Sequence, residues 1–119
     1  MHKSVIIDGM GRGGPYAHAV VAGNTVYISG QTGQNEMNKN DFKGQFRASM
    51  EKISQIASSV GKTINDIVKV NVYISDKSHF KEMNEVFGEY FKDSPPARTT
   101  LVAGFVADGI LVEIDATLH

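Results

Sequence analysis

A regular alternation of side chains runs through the stretch Ile67-Val68-Lys69-Val70-Asn71-Val72-Tyr73-Ile74-Ser75. The apolar side chains at the even positions share one face, and the side chains between them share the other, which is the pattern of a half-buried strand. Helical patterns precede and follow this strand. Helices that interrupt a largely antiparallel sheet predict an α+β fold in which both helices cover one face of the sheet.

Two amphipathic helices are predicted on either side of this strand. In the first, over residues 41–60, apolar residues recur at steps of three and four, and Gly61 stands where a left-handed C-terminal cap is expected. The second, over residues 78–91, has an aromatic stripe with Asn84 on the same side. A buried amide must be hydrogen-bonded, so Asn84 is either a satisfied core residue or part of a site.

Turn signals separate the remaining strands. Gly23-Asn24 predicts a tight turn between the second and third strands, and Asp108-Gly109 predicts another between the last two. A polar loop is expected over residues 30–35. The element order is then βββαβαββ, and residues 1–119 are expected to form one domain. The predicted strands are Ser4–Asp8, His18–Ala22, Thr25–Ser29, Ile67–Ser75, Thr99–Val106 and Ile110–Leu118.

Composition limits the classes of function. The formal net charge is −1, so no strong field draws the chain to nucleic acid or to an acidic membrane. The chain has no cysteine, which excludes disulfides, thiolate metal sites and a cysteine nucleophile. No apolar stretch reaches the roughly 18 residues of a membrane helix, and the apolar run near the N-terminus is too short for a signal peptide. We therefore expect a cytoplasmic protein.

The segment Gly9–Gly14 contains the pattern G-x-G-x-x-G. A dinucleotide site needs a helix that begins directly after this pattern, because the helix N-terminus receives the pyrophosphate. Here Pro15 and an extended stretch follow instead, which argues against a nucleotide site. We expect the glycines instead to allow the backbone to pass close to another group.

One arginine and one glutamate stand out in the apolar C-terminal region. Pro95 and Pro96 stiffen the chain before Arg98. If the Asp108-Gly109 turn joins two paired strands, the register puts Arg98 and Glu113 on the face that the helices leave uncovered. Within one chain they would be about 20 Å apart, so they could act together only across a contact between subunits. The alternative is that both are ordinary charges facing water.

Six motifs are spaced along almost the whole chain. They are Gly14-Pro15-Tyr16, Val26-Tyr27-Ile28-Ser29-Gly30-Gln31, Asp66-Ile67-Val68-Lys69, Asn84 within Phe80–Phe91, Pro96-Ala97-Arg98 and Val112-Glu113-Ile114. Each motif is weak alone, but their order and spacing resemble the RidA/YjgF family of enamine/imine deaminases. The resemblance implies a chorismate-mutase-like fold with a mixed sheet, a homotrimer around a central barrel, and clefts between subunits that bind small carboxylates.

The resemblance also implies a set of site residues, and it implies no metal or organic cofactor. The residue matching the family's arginine, which holds the substrate carboxylate, is Arg98. Glu113 matches the glutamate that positions or activates water, and Tyr16 matches the tyrosine that lines the cleft. Further substrate contacts would come from Gly30, Thr100 and Asn84.

The implied reaction is the hydrolysis of 2-imino acids, formed from 2-aminoacrylate-type enamines, to 2-keto acids and ammonia. Arg98 would bind the carboxylate with two parallel hydrogen bonds, and Glu113 would carry a proton from water to the leaving nitrogen. Two departures from the family pattern concern this site. Phe105–Gly109 lacks the common Leu-Pro pair, and Thr100 stands where many members have cysteine.

Three other functions remain as alternatives. A regulatory module could bind keto acids or similar metabolites in the same cleft without turnover. An endoribonuclease or translation inhibitor would need a basic stripe, whereas the lysines of this chain are scattered. Metal-dependent hydrolysis would need a cluster of ligands, but the four histidines show no ligand spacing.

Overall fold

The computed structural model describes residues 1–119 and contains one six-stranded sheet with two α-helices. Short 3₁₀ helices at Ile64–Asp66 and Lys77–His79 precede the fourth strand and the second α-helix. The α+β class and the predicted order of elements are confirmed. In chain order the elements are β1 (Lys3–Val5), β2 (Ala19–Ala22), β3 (Thr25–Thr32), α1 (Phe42–Ser59), β4 (Ile67–Ile74), α2 (Phe80–Tyr90), β5 (Ala97–Val102) and β6 (Val112–Leu118).

The strand order across the sheet is β1-β2-β3-β6-β4-β5. β2 and β3 form the predicted hairpin, and Gly23 adopts the positive φ of 60° that its tight turn requires. β6 lies between β3 and β4 and is antiparallel to both. β5 is parallel to β4, and α2 makes the crossover between them, so the sheet is mixed.

The helices bury their apolar sides against one face of the sheet. The Asp41 carboxylate caps α1 by accepting a hydrogen bond of 2.9 Å from the Gly44 N–H. Gly61 follows the helix with a φ of 75°, as predicted. Neither helix is long and apolar enough to cross a membrane. The most deeply buried side chains include Phe46, Ile53 and Ile56 of α1, Met83 and Val86 of α2, and Val72, Val112 and Ile114 of the sheet.

The predicted C-terminal hairpin is wrong, because β4 lies between β5 and β6. The loop between these two strands contains a turn at Gly109, which has a φ of 82°. A turn signal describes only the local backbone, so it does not reveal whether the strands on either side pair. The pairing of β5 with β4 depends instead on α2, which returns the chain to the same end of the sheet.

This topology corrects the predicted face of Arg98. Residues in register on neighbouring strands point to the same side of a sheet. Arg98 aligns with Val70, which is 1% exposed beneath the helices. Glu113 aligns with Tyr73 on the uncovered face. Arg98 and Glu113 therefore lie on opposite faces of the sheet, and the prediction that they share the uncovered face is wrong.

Smaller differences arise at strand irregularities. β3 continues to Thr32, past the predicted end at Ser29, through a bulge that lets the strand resume pairing with β6. A register shift near the start of β4 turns Val68 outward, so it is 49% exposed where the alternation predicted burial. β1 ends at Val5, before the predicted Asp8, because the chain turns into the glycine-rich segment.

Candidate functional site

An open cleft of about 790 Å³ lies on the uncovered face of the sheet beside β6. Its lining comes from β3, β4 and β6, from the glycine-rich segment, from the loop between β5 and β6 and from one residue of α1. Three of the residues predicted for the site line this cleft together, namely Tyr16, Gly30 and Glu113. We call it the β6 cleft.

Glu113 is a half-buried carboxylate that makes no hydrogen bond or ion pair within the chain. It lies so close to Gly30 that a Cβ at that position would clash with Glu113 Oε2. Burial, and to a lesser degree the charge of Asp115, raises the pKa of Glu113 above its ordinary value. A carboxylate with a raised pKa and free lone pairs is suited to accept a proton and return it.

Asp115 lies two residues further along the same face of β6, and each of its carboxylate oxygens accepts a hydrogen bond within the chain. Asn71 Nδ2 donates to Oδ1 at 2.8 Å, and the Tyr73 hydroxyl donates to Oδ2 at 3.0 Å. Burial and this bond to Asp115 raise the pKa of Tyr73. These two hydrogen bonds hold the Asp115 carboxylate in place beside Glu113.

Tyr16 reaches the cleft from the glycine-rich segment. Its hydroxyl oxygen accepts a hydrogen bond of 3.0 Å from the Gly13 N–H, and its carbonyl oxygen accepts one of 2.9 Å from Arg12 Nη1. A Cβ added at Gly13 or Gly14 would lie only 3.1 or 3.3 Å from the Tyr16 side chain. The ring therefore packs directly on glycine backbone.

Arg98 forms a separate group with residues of α2. Its Nη2 donates to Asn84 Oδ1 at 2.8 Å, and the guanidinium carbon lies 4.7 Å from the centroid of the Phe87 ring. Partial burial lowers the pKa of Arg98, and no carboxylate of the chain pairs with it. Only one of the guanidinium's five N–H donors is used in these contacts, so the others are available to an anion. We call this group, with neighbouring Thr100, the Arg98 corner.

Thr100 continues the Arg98 corner along β5. Its hydroxyl contacts the Met83 sulfur at 3.9 Å. Beside it lies a groove of about 330 Å³, whose lining includes Phe80, Leu101 and Val102. These three apolar side chains are 48%, 54% and 58% exposed, so the corner opens onto an apolar surface at the edge of the sheet.

The six predicted site residues thus fall into two groups within one chain. Tyr16, Gly30 and Glu113 share the β6 cleft, whereas the Arg98 corner lies on the other face of the sheet. For Asn84 the sequence left two roles open, a hydrogen-bonded core residue or part of a site. Asn84 is exposed, and it holds Arg98 rather than filling the core.

The cleft also contains residues that were not predicted from the sequence as site residues. Tyr73 and Asp115 lie on the polar side of their strands, and strand parity is the signal that could have found them. Lys52 also lines the cleft, and its Nζ donates to the Thr32 carbonyl oxygen at 2.6 Å. No pattern along the helix distinguishes Lys52 from its other solvent-facing charges.

The histidines have contacts within the chain that differ from one another. His79 stacks on Phe42 with ring centroids 4.7 Å apart, and its Nδ1 lies 2.8 Å from Glu82 Oε1. His119 lies 3.2 Å from the Thr25 hydroxyl. No group of three histidine, aspartate or glutamate side chains is arranged to hold a metal ion.

Comparison with known proteins relates the chain to one family over nearly its whole length. The family model described as Endoribonuclease L-PSP matches residues 9–119. A RutC family protein of Pyrococcus horikoshii is 41% identical over 112 residues, which are 89% of this chain and 87% of that protein. A protein of Dermatophagoides farinae named 2-iminobutanoate/2-iminopropanoate deaminase is 34% identical, over 87% of this chain and 84% of its own length.

A solved structure gives the same relationship at the level of the fold. RidA from the Antarctic bacterium Psychrobacter superposes with a TM-score of 0.87 and is 36% identical, and the match covers 98% of both chains. The mixed six-stranded sheet with two helices is therefore the fold of this family. The motif order, the family model and the similarity over full chains agree, and the chain belongs to the RidA/YjgF family.

Proposed function

We propose that the protein hydrolyses small 2-imino acids to 2-keto acids and ammonia, at sites that two chains of a homotrimer share. The observation that carries this proposal is the state of Glu113, a half-buried carboxylate with a raised pKa and no partner, in an open cleft. The name of the relative from Dermatophagoides farinae supports the same substrate class.

Arg98 binds the carboxylate of the substrate. Asn84 and Phe87 fix the guanidinium, and its remaining donors can hold a carboxylate with two parallel hydrogen bonds. A lysine at this position would offer a point charge without that geometry. Arg98 therefore selects 2-imino acids over imines that lack a carboxylate.

Glu113 carries the proton during hydrolysis. As the oxygen of water bonds to the imine carbon, the Glu113 carboxylate accepts a proton from the water and then delivers it to the nitrogen. This gives a carbinolamine, and Glu113 then takes the proton of its hydroxyl group and passes it to the amino group. The C–N bond breaks, ammonia leaves, and the hydroxyl oxygen becomes the carbonyl oxygen of the 2-keto acid. Because the imine carbon is already electrophilic, the orientation of water contributes more than strong activation.

A small substrate needs two chains to meet both residues, since Arg98 and Glu113 of one chain lie on opposite faces of the sheet. In the proposed trimer, the Arg98 corner of one chain faces the β6 cleft of the next. Leu101 and Val102, exposed at the edge of the sheet, provide apolar surface for that contact.

The first prediction tests this assignment by generating the imine in place. A PLP-dependent threonine dehydratase releases 2-iminobutanoate, and the rate of keto-acid formation is followed with and without the protein. We expect acceleration by the wild type. We expect Arg98→Ala and Glu113→Gln each to lose at least about 100-fold in kcat/KM, because each removes a group that orients substrate or moves its proton.

Arg47→Ala is the matched control. Arg47 is also a partly exposed arginine, and its guanidinium pairs with Glu89 at 3.0 Å on the helical side rather than with any of the predicted site residues. This variant should keep wild-type turnover. Full activity in Arg98→Ala, with its assembly unchanged, would contradict the assignment.

The remaining alternatives give different results in the same preparation. A regulatory module would bind 2-oxobutanoate in calorimetry without accelerating imine hydrolysis. The name of the family model makes RNA cleavage a necessary comparison. Cleavage of RNA that survives in Glu113→Gln would assign that activity to another site.

A further inference from the structure

His18 is buried beneath the glycine-rich segment and has no part in the proposed chemistry. It is 1% exposed. The Ile7 N–H donates to Nδ1 at 3.1 Å, and Nε2 lies 3.1 Å from the Met10 carbonyl oxygen and 3.2 Å from that of Gly11. The imidazole therefore contacts three successive parts of the loop that connects β1 to Tyr16.

These contacts determine the tautomer of His18. The Ile7 N–H needs a lone pair on Nδ1, so the ring proton must be on Nε2. That N–H is then shared between the carbonyl oxygens of Met10 and Gly11. One neutral ring thus satisfies backbone groups at both ends of the Ile7–Gly11 turn, where a buried polar group without a partner would be costly.

The segment has few other restraints. Apart from the bonds to His18, the Met10 N–H reaches the Ile7 carbonyl oxygen at 3.3 Å, and the remaining bonds of residues 9–14 are those to Tyr16. Gly9 is in the left-handed region with a φ of 81°. Glycine backbone that is mostly exposed has high conformational freedom unless it is held.

We propose that His18 is a positioning residue, which holds the glycine-rich segment so that Gly13 can set the Tyr16 ring in the β6 cleft. The connection runs from the imidazole to the carbonyl groups of Met10 and Gly11, and then from the Gly13 N–H to the Tyr16 hydroxyl. This gives the G-x-G-x-x-G pattern a role in forming the cleft. The effect of His18 on catalysis rests on the proposed function, whereas its effect on the segment does not.

Two variants distinguish the hydrogen bond at Nδ1 of His18 from those at Nε2. In His18→Asn the amide oxygen can replace Nδ1 as acceptor for Ile7, but nothing reaches the carbonyl groups of Met10 and Gly11. In His18→Gln the longer amide can donate to those carbonyl groups. In hydrogen exchange, we expect the two hydrogen-bonded amides of this segment, those of Met10 and Gly13, to exchange at least about tenfold faster in His18→Asn and to recover part of their protection in His18→Gln. Exchange in the core helices should not change in either variant.

A double-mutant cycle with Tyr16→Phe tests whether His18 acts through Tyr16. With Tyr16 intact, we expect His18→Asn to lower kcat/KM roughly tenfold, because a site group is then misplaced. In the Tyr16→Phe background, which has lost the bond to Gly13, His18→Asn should lower kcat/KM by less than about twofold. The exposed His119→Asn is the control and should change neither exchange of this segment nor turnover.

Either of two results would overturn the proposal. One is unchanged exchange of the Met10 and Gly13 amides in His18→Asn, and the other is an equal loss of kcat/KM in both Tyr16 backgrounds. If the wild type does not hydrolyse imines, the proposed function fails, while the exchange experiment still decides whether His18 holds the segment.

Discussion

Glu113 and Gly30 depend on each other at the scale of single residues. The carboxylate occupies the space that any side chain at position 30 would need. Its position next to backbone removes water from one side, and this burial is the main cause of the raised pKa. The Ser29-Gly30-Gln31 motif is weak as a sequence signal, but it supplies the one residue type that leaves room for Glu113.

The second prediction concerns the pH dependence set by Asp115. Glu113 must be ionised to accept a proton, so kcat/KM falls as the pH drops through its raised pKa. Asp115→Asn removes the smaller cause of that shift and should lower the pKa of Glu113. The acid limb of the profile should therefore move to lower pH. The measurement is kcat/KM for imine hydrolysis from about pH 4, near the ordinary glutamate pKa, to about pH 8.

Asp93→Asn, at an exposed position, is the control for the pH profile and should leave the acid limb in place. The limb should remain above the position typical of an ordinary glutamate even in Asp115→Asn, because burial of Glu113 is unchanged. A limb that stays fixed or moves to higher pH in Asp115→Asn would show that Glu113 is not the group that titrates.

At the scale of elements, local patterns identified the helices and strands but not their neighbours. The three- and four-residue steps of α1, the left-handed Gly61 after it and the Gly23-Asn24 turn depend on nearby residues, and all are confirmed. The position of β4 between β5 and β6 depends on the path of α2. No residue near Asp108 encodes that path, so the turn signal there predicted a hairpin that does not form.

The same limit explains the error about the candidate site. Parity within β6 correctly separated the buried Ile114 from Glu113. Transferring that parity to β5 required the two strands to pair, and they do not. The resemblance to the family selected Arg98 and Glu113 without using the pairing, so the choice of residues does not depend on the incorrect register.

The third prediction concerns α2. Gly88 lies on its exposed side, and an added Cβ there would meet nothing within 4 Å. Gly88→Ala should therefore stabilise the protein by roughly 0.5–1 kcal/mol, because alanine has less backbone freedom to lose in a helix. Urea unfolding measures the change, and a lower midpoint than the wild type would contradict it.

Gly33→Ala is the matched opposite case. A Cβ at Gly33 would clash with the backbone of α1 at Gln45 and Ser49, neither of which can move independently of the helix. The same substitution that stabilises at Gly88 should therefore destabilise at Gly33. Comparing the change in the free energy of unfolding at these two positions then separates the effect of helix propensity from that of packing.

At the scale of the whole molecule, the separation of the two groups of site residues leads to a prediction about mixtures of two variants. Arg98→Ala and Glu113→Gln should each be inactive alone. When the two proteins are unfolded, mixed in equal amounts and refolded together, about a quarter of the shared sites should combine an intact Arg98 with an intact Glu113 in a closed cyclic assembly. Imine hydrolysis should then recover to approximately that fraction of the wild-type rate.

Two controls define the result of this mixing experiment. Each variant refolded alone should remain inactive, and size-exclusion chromatography should show the same assembly for all samples. A mixture that stays inactive although the chains have exchanged would contradict a site shared between chains.

The position of β6 between β3 and β4 also has a consequence for folding during synthesis. β3 pairs with β2 and β4 pairs with β5, but β3 and β4 do not pair with each other, and only β6 joins these two parts of the sheet. Until the ribosome has released residues 112–118, the sheet exists as two unconnected parts with open edges. Such edges are sites of aggregation. Slow translation before Val112 should therefore expose the nascent chain longer than slow translation within α1, and chaperone binding to stalled chains should be strongest at that point.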